Sequence, residues 1–448
     1  MERKAKLTEG PVGRKLLFLT IPMVMGIFAM VAFNLADTYF VARLGTKELA
    51  AMSFTFPVVM LIHSIALGLG IGTSSVVSRA IGEGDHHKVQ MLTTHSLLLA
   101  FCLVAFLVTV GLVTINPLFT LLGATPDILP LIREYMRIWY VGMVFVTVPM
   151  VGNNAIRASG DTKTPSLIMM TAAGINVVLD PLLIFGLAGF PRLELAGAAL
   201  ATVFGRATTL VLSLSILHFR EKMVDFSLRA IHNVRDSWKK VLYISVPSAA
   251  TNVLIPLSMG VIVRMVAQFG TAAVAAVGAG TRVESFALMV ILALGASLIP
   301  FIGQNWGAGK FDRVHLAQTY SNRFTFWWGL LCVIVFLLIA APIARLFSQD
   351  PDVVDGIINY LWIVPVGYGL QGISLLVSAS FNAVNRPLAA ASLSLIRMFV
   401  LYIPLAYFGG QLFGLRGLFA GISLANVIAG IIALLWLAHA RTREPQKP

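Results

Sequence analysis

The chain has 448 residues, 58% of them hydrophobic and 12% charged, with a mean hydropathy of +0.86 and a formal net charge of +13. A soluble protein carries about 25% charged residues, and its surface grows too slowly with size to hide this much apolar side chain. The composition therefore excludes a soluble enzyme, a disordered chain and a nucleic-acid-binding module, and makes lipid the solvent for most of the sequence.

In chain order, a basic start (Arg3, Lys4, Lys6, Arg14, Lys15) runs into a long apolar stretch with no small-residue cleavage site. This reads as a first membrane helix, not as a removed signal. A ruler of about 20 apolar residues per crossing gives twelve spans, at 15–42, 49–76, 91–115, 131–155, 164–189, 195–219, 239–268, 273–302, 319–345, 356–383, 388–411 and 416–440. Pro22, Pro57, Pro149, Pro247 and Pro404 fall inside spans, where lipid-embedded helices tolerate proline and often bend at it. Most Lys and Arg fall at the two termini and in the even-numbered connections, including the longest, 220–238, with Arg220, Lys222, Arg229 and Arg235. Cytoplasmic loops carry that excess, so both termini are expected in the cytoplasm of a multi-pass inner-membrane protein. Topology thus accounts for the positive charge without a nucleic acid. Four arginines lie within spans: Arg206, Arg264, Arg282 and Arg397. Cys102 and Cys332 sit in apolar runs and read as small buried hydrophobes.

Shifting the sequence by 225 residues aligns its halves. Pro22 falls on Pro247, Gly70 on Gly295, Gly82-Glu83-Gly84 on Gly307-Ala308-Gly309, Tyr135 on Tyr360 and Gly142 on Gly367. Six spans per half is an even number, so both halves enter the membrane in the same direction, a recurrent transporter plan with the substrate path between halves. The expected organisation is an N-terminal segment 1–14, an N-lobe 15–219, a linker 220–238, a C-lobe 239–440 and a tail 441–448. The fold class is all-α, with two six-helix lobes related by a pseudo-twofold axis.

Departures from the repeat point to function. Only Asp37, Asp180 and Glu284 remain once acids in loops, termini and first turns are set aside, and an intramembrane acid costs at least about 2.5 kcal/mol. The repeat partner of Asp37 is Ile262 and, in the register that sets Pro181 on Pro404 after small deletions, that of Asp180 is Ile403, so both carboxylates belong to the first half alone. Asn176 shares a helix face with Asp180, and Asn34 with Asp37; Tyr135, Asn153 and Thr202 are further polar neighbours in spans 4 and 6. Two carboxylates in a poorly hydrated cavity repel and lose water, which favours a shared proton. The same oxygens with Asn and Thr also suit a small hard cation such as Na⁺, at Asp37, Asp180 and Asn176. The alternative is that each Asp merely joins helices by hydrogen bonds. Glu284 lies near Arg282 and is expected to pair with a base such as Arg264. His63 is read as hydrogen-bonded structure, and Gly68, Gly70 and Gly72 as close helix packing or a bend. Met30, Phe33 and Phe145, with Met169 and Met170, suit a cavity that re-packs around varied ligands. Gly309-Lys310 is not a phosphate loop, since Gln304 stands where glycine is needed and Phe311 where Ser or Thr is. No cofactor is expected.

Asn34-Leu-Ala-Asp-Thr-Tyr-Phe-Val-Ala-Arg-Leu-Gly45, Ser78-Arg-Ala-Ile-Gly-Glu-Gly84 with its echo Gly303 to Gly309, Arg157 to Lys163 and Asn176-Val-Val-Leu-Asp-Pro181 together resemble the multidrug and toxic compound extrusion (MATE) family, from about residue 12 to 440. Within it the chain is most similar to the prokaryotic DinF-type branch, which carries paired acids at the positions of Asp37 and Asp180. The resemblance implies a cavity using Tyr135, Asn153, Asn176 and Thr202, and an antiporter, not an enzyme, that exports amphipathic or cationic drugs as a monomer against H⁺ or Na⁺. It also implies a first helix that bends near Pro22. A lipid-linked sugar flippase is the rival within the wider superfamily; a major-facilitator-type transporter and a membrane enzyme fit the residues less well.

Overall fold

A computed structural model describes residues 5–225, 227 and 233–442. Arg3, Lys4, Arg229 and the remaining parts of the 1–14, 220–238 and 441–448 segments lie outside the described residues. The described chain is helical almost throughout. The helices are α1 Val12–Ala42, α2 Thr46–Glu83, α3 His86–Leu121, α4 Leu129–Gly142, α5 Val144–Ala158, α6 Lys163–Phe185, α7 Glu194–Ser215, α8 Val234–Val266, α9 Thr271–Gly307, α10 Phe311–Phe347, α11 Pro351–Ile363, α12 Tyr368–Ala383, α13 Pro387–Leu395 and α14 Ile403–Thr442.

Eleven helical stretches among the described residues are long and apolar enough to cross a bilayer. The last, Pro387–Thr442, has 56 residues. At 1.5 Å per residue that is about 84 Å, far more than the roughly 30 Å of a hydrocarbon core. Phe413 and Gly414 leave helical geometry there. Across this break a Cβ on Gly409 would meet the Gly417 carbonyl, and one on Gly421 the Leu405 carbonyl. Residues equally distant from Phe413 are therefore neighbours, and the stretch is a tight helical hairpin. The crossings number twelve.

The helices overrun the expected spans. Span 2, expected over 49–76, continues to Glu83, and span 3, expected over 91–115, occupies His86–Leu121. An apolar ruler measures the hydrocarbon layer, whereas polar helix ends run on beyond it. Two crossings are interrupted at matching places in the repeat. The fourth changes at Met143, between α4 and α5, and the tenth passes through a 3₁₀ turn at Val364–Gly367. Gly142 and Gly367 allow this, because a side chain would strike Val203 in the first case and Ser423 and Asn426 in the second.

The helices before and after the linker each hold a core of their own and share two further clusters where they meet. The first half's own core is built from Val41, Ile62, Phe119, Ile132, Met136 and Ile184, the second's from Ile262, Val277, Phe336, Leu361 and Phe419. The halves meet at the end that carries both chain termini. There α2 crosses α9 so closely that a Cβ on Gly82 would sit 2.2 Å from the Gln304 carbonyl oxygen. Slightly further in, Gly68 faces Ala249 and Gly72 faces Ser245 on α8, the close-packing role expected of these glycines. The segment before α1 is stitched to the second half. Leu7 N–H donates to Gln304 Oε1 (3.1 Å). Its carbonyl accepts from Asn305 (3.2 Å) and Arg313 (3.1 Å), and Lys310 donates to the Thr8 carbonyl (2.9 Å). Gln304 also donates to the Ala158 carbonyl (2.7 Å), Arg79 reaches the Ala383 carbonyl and Asn385, and His95 Nδ1 lies 2.8 Å from Ser237 Oγ.

Candidate functional site

Three helices of the first half build the site. α1 packs on α6, with Gly26 against Ser166, and α6 on α7, with Gly205 against the Ala172 carbonyl. These close approaches bring side chains from all three helices to one level. Asp37 lies one turn from the end of α1, and Asp180 an equal distance from the end of α6. Asp180 is fully buried and Asp37 is 8% exposed. The two carboxylates act on each other electrostatically, and buried Tyr135, at the start of α4, senses both.

Asn176 connects the pair to α7. In the amide orientation that satisfies both its ends, its nitrogen donates to Asp180 Oδ2 (2.6 Å), while its oxygen accepts from the Thr202 hydroxyl (3.2 Å) and backbone N–H (3.0 Å). Among the described residues, Asp37 Oδ1 is buried without a hydrogen-bond partner. Such an atom ordinarily finds one, so this oxygen is the open valence of the site.

Below this level Met30, Phe33, Met169, Ala172, Asn176, Thr202 and Arg206 wall a narrow cleft. Its free space of about 20 Å³ suits a water molecule; a drug-sized ligand needs roughly 300 Å³ or more. The Arg206 guanidinium lies 6.0 Å from the centre of the Phe33 ring, and half-buried His63 on α2 feels its charge.

The structure brings together Asp37, Asp180, Asn176, Thr202 and Tyr135, with Met30 and Phe33 alongside. It does not bring Asn153 to them. Asn153 lies near the opposite end of its crossing, 18 residues from Tyr135, about 27 Å along a helix, and its side-chain oxygen has no partner among the described residues. Phe145 is half-buried on α5 and is not part of the cleft wall. Asn34 is exposed, and its carbonyl accepts from Thr38. Pro22 lies inside an unbroken α1.

In the second half, Glu284 accepts from the Tyr360 hydroxyl at 2.5 Å. The base acting on it is Arg397, 5% exposed, not Arg264 as the sequence leads one to expect. Arg264 and Arg282 are exposed. Arg397 lies buried in a π-helical segment over Ile396–Tyr402. Tyr360 is the repeat partner of Tyr135, so each half sets this tyrosine beside an acid supplied from a different helix. Arg206, one of the four intramembrane arginines, carries the same signal as the aspartates, since the cost of an intramembrane charge applies to arginine too.

Twelve crossings, an internal repeat and a buried polar site in one half define a polytopic membrane transporter. The sequence matches the family profile described as MatE over residues 22–182 and 247–408, and the chain belongs to the MATE family. It is 42% identical to a protein of Shewanella oneidensis named FAD transporter, over all of this chain and 98% of the other. It is 23% identical to the multidrug export protein MepA of Staphylococcus aureus, over 97% and 95% of the two chains. Among solved structures, a mutant of the Vibrio cholerae MATE transporter VcmN superposes with a TM-score of 0.93 at 31% identity, covering 97% of this chain and 98% of that one. VcmN in its bent form gives 0.91, covering 96% of each.

Proposed function

We propose that this chain is a secondary active exporter of the DinF-type branch, coupled to inward H⁺ through Asp37 and Asp180, whose substrate is a planar aromatic anion of the flavin dinucleotide kind. The observation that carries the coupling is the Asp180–Asn176–Thr202 chain beside Asp37, present in one half of a duplicated fold. A carboxylate pair takes up a proton most readily where water is scarce, and the free Asp37 oxygen offers it a place. Protonation changes the hydrogen bonds between α1 and α6; α1 then bends near Pro22 and the cleft changes volume. Solved relatives are described in a bent form and in a straight conformation, in keeping with a carrier that takes two shapes. Each ligand shifts the two states only by its differential affinity for them. The substrate class rests on the FAD transporter, whose similarity covers the whole chain.

In this reading the lobes are 15–219 and 239–440, both termini are cytoplasmic in the inner membrane, and the clasped end faces the cytoplasm. The present conformation is then outward-open. Two alternatives have specific support. Na⁺ would use the same carboxylates with the Asn176 and Thr202 oxygens. Amphipathic cationic drugs would use the pliable Met30, Met169 and Phe33 wall, in keeping with the name of MepA.

The test is transport in inside-out vesicles with a pH gradient or a Na⁺ gradient imposed separately, supplying FAD and, in parallel, ethidium. Asp37→Asn and Asp180→Asn keep shape but cannot titrate. The expected result is FAD uptake driven by the pH gradient in the native protein and lost in both variants at matched expression. Pumping by both variants would refute coupling at this pair, and uptake of ethidium alone would refute the flavin substrate.

A further inference from the structure

Arg206 is a cation in a membrane-spanning helix, where an unpaired charge is costly. Among the described residues it has no ion pair and no hydrogen bond; its surroundings are the Phe33 ring at 6.0 Å, the walls of the cleft and His63, which feels its charge. The site's own geometry explains why. Asn176 and Thr202 are bridged across antiparallel α6 and α7. Asp180 lies four residues from Asn176 toward one end of the pair, and Arg206 four residues from Thr202 toward the other. At 1.5 Å per residue the two charges are about 12 Å apart along the helices, well beyond ion-pair reach. The site is thus layered, with carboxylates toward the end away from the termini, an amide–hydroxyl bridge in the middle, and a guanidinium below it beside an aromatic ring.

A guanidinium is a fork of donors matched to phosphate oxygens, and a neighbouring aromatic ring offers a stacking face to a planar group. We propose that Arg206, with Phe33, is the anion anchor of the cleft. It recognises the phosphate or pyrophosphate of a substrate whose ring system packs among Phe33, Met30 and Met169. The anchor rests on the exporter reading above and deepens it. The substrate's negative charge is held on the termini side of the bridge, and the coupling proton on the other. The cleft has room for a water in this conformation, so binding requires it to widen, which the pliable methionines allow.

Binding and transport are measured separately. Equilibrium dialysis of purified protein compares FAD with riboflavin, which has the same ring and no phosphate, for the native protein, Arg206→Gln and Arg206→Lys. Size exclusion and thermal unfolding report folding. The native protein is expected to prefer FAD at least tenfold, Arg206→Gln to lose that preference, and Arg206→Lys to recover part of it. A preference that survives in Arg206→Gln, or one absent from the native protein, overturns the anchor. Failure of the native protein to carry FAD into vesicles while the binding preference holds overturns the flavin-export reading and leaves the anchor standing.

Discussion

Gly307→Ala probes the clasp between the halves. The new Cβ would lie 2.2 Å from the Arg79 carbonyl oxygen, 1.2 Å short of the 3.4 Å at which ordinary contact begins, with the Arg79 carbonyl carbon at 3.0 Å and the Glu83 nitrogen at 3.1 Å. All three atoms are backbone of α2, so no rotamer change relieves them and the helices must separate. Overpacking of this kind costs about 1–3 kcal/mol. The gain in helix propensity, about 0.8–1 kcal/mol, is the same in any conformation that keeps α9 helical. The penalty falls only on the clasped state, which therefore loses population about 5- to 150-fold relative to one open at the termini end. Spin labels at His87→Cys and Asp312→Cys, in a background lacking Cys102 and Cys332, report the separation of the halves by pulsed EPR. Gly307→Ala is expected to add a longer-distance population. Gly278→Ala, whose Cβ meets nothing within 4 Å, is expected to leave the distribution unchanged. Coincident distributions for Gly307→Ala and the native protein, with equal Tm, would refute the reasoning.

Leu7 is 2% exposed beneath the clasp, so Leu7→Ala should cost about 2–5 kcal/mol in the clasped state and widen the same EPR distribution. Tyr360→Phe removes the hydrogen bond to Glu284 and should lower stability by about 1.5–3 kcal/mol, read as a Tm loss that Glu284→Gln partly shares. Burial pushes the Asp161 carboxyl up, but hydrogen bonds from the Thr164 hydroxyl and amide and the Arg220 guanidinium outweigh it and hold it below the usual range. Its stabilisation is complete above the unfolded value of about 3.9 and is lost as pH falls below that through the folded value. Asp161→Asn should therefore lower Tm at pH 7, and the gap should close below about pH 4; a gap independent of pH would count against the assignment.

The carboxylate pair was legible because an acid in an apolar run is conspicuous and a duplicated sequence supplies its own control, with isoleucine at the partner positions. Asn176 was legible from its four-residue spacing to Asp180. The matched interruptions at Met143 and Val364–Gly367 were foreshadowed by Gly142 and Gly367, which align in the repeat. Other features had no local signal. The π segment that holds buried Arg397 adds one residue to a helical turn, and hydropathy does not register that shift. Asn153 looked like a neighbour because its residue type fits; its distance along the crossing, which can be counted from the sequence, sets it apart. The stitching of Leu7 and Thr8 to Lys310 and Arg313 pairs residues some 300 apart through backbone carbonyls, which every residue possesses.

The ties that close the termini end finish largely on carbonyl and amide oxygens. Arg313, Lys310 and Arg79 donate to backbone, and Gln304 and Asn305 are neutral. Bonds of this kind, set among interlocked glycines, do not draw their strength from two exposed opposite charges, the interaction that dissolved ions weaken over a Debye length of about 8 Å at physiological strength. The balance between the two openings should then be nearly indifferent to the ionic strength at that end. On the proposed function, a cell adjusting to osmotic stress would alter the driving gradient while leaving the latch itself unmoved.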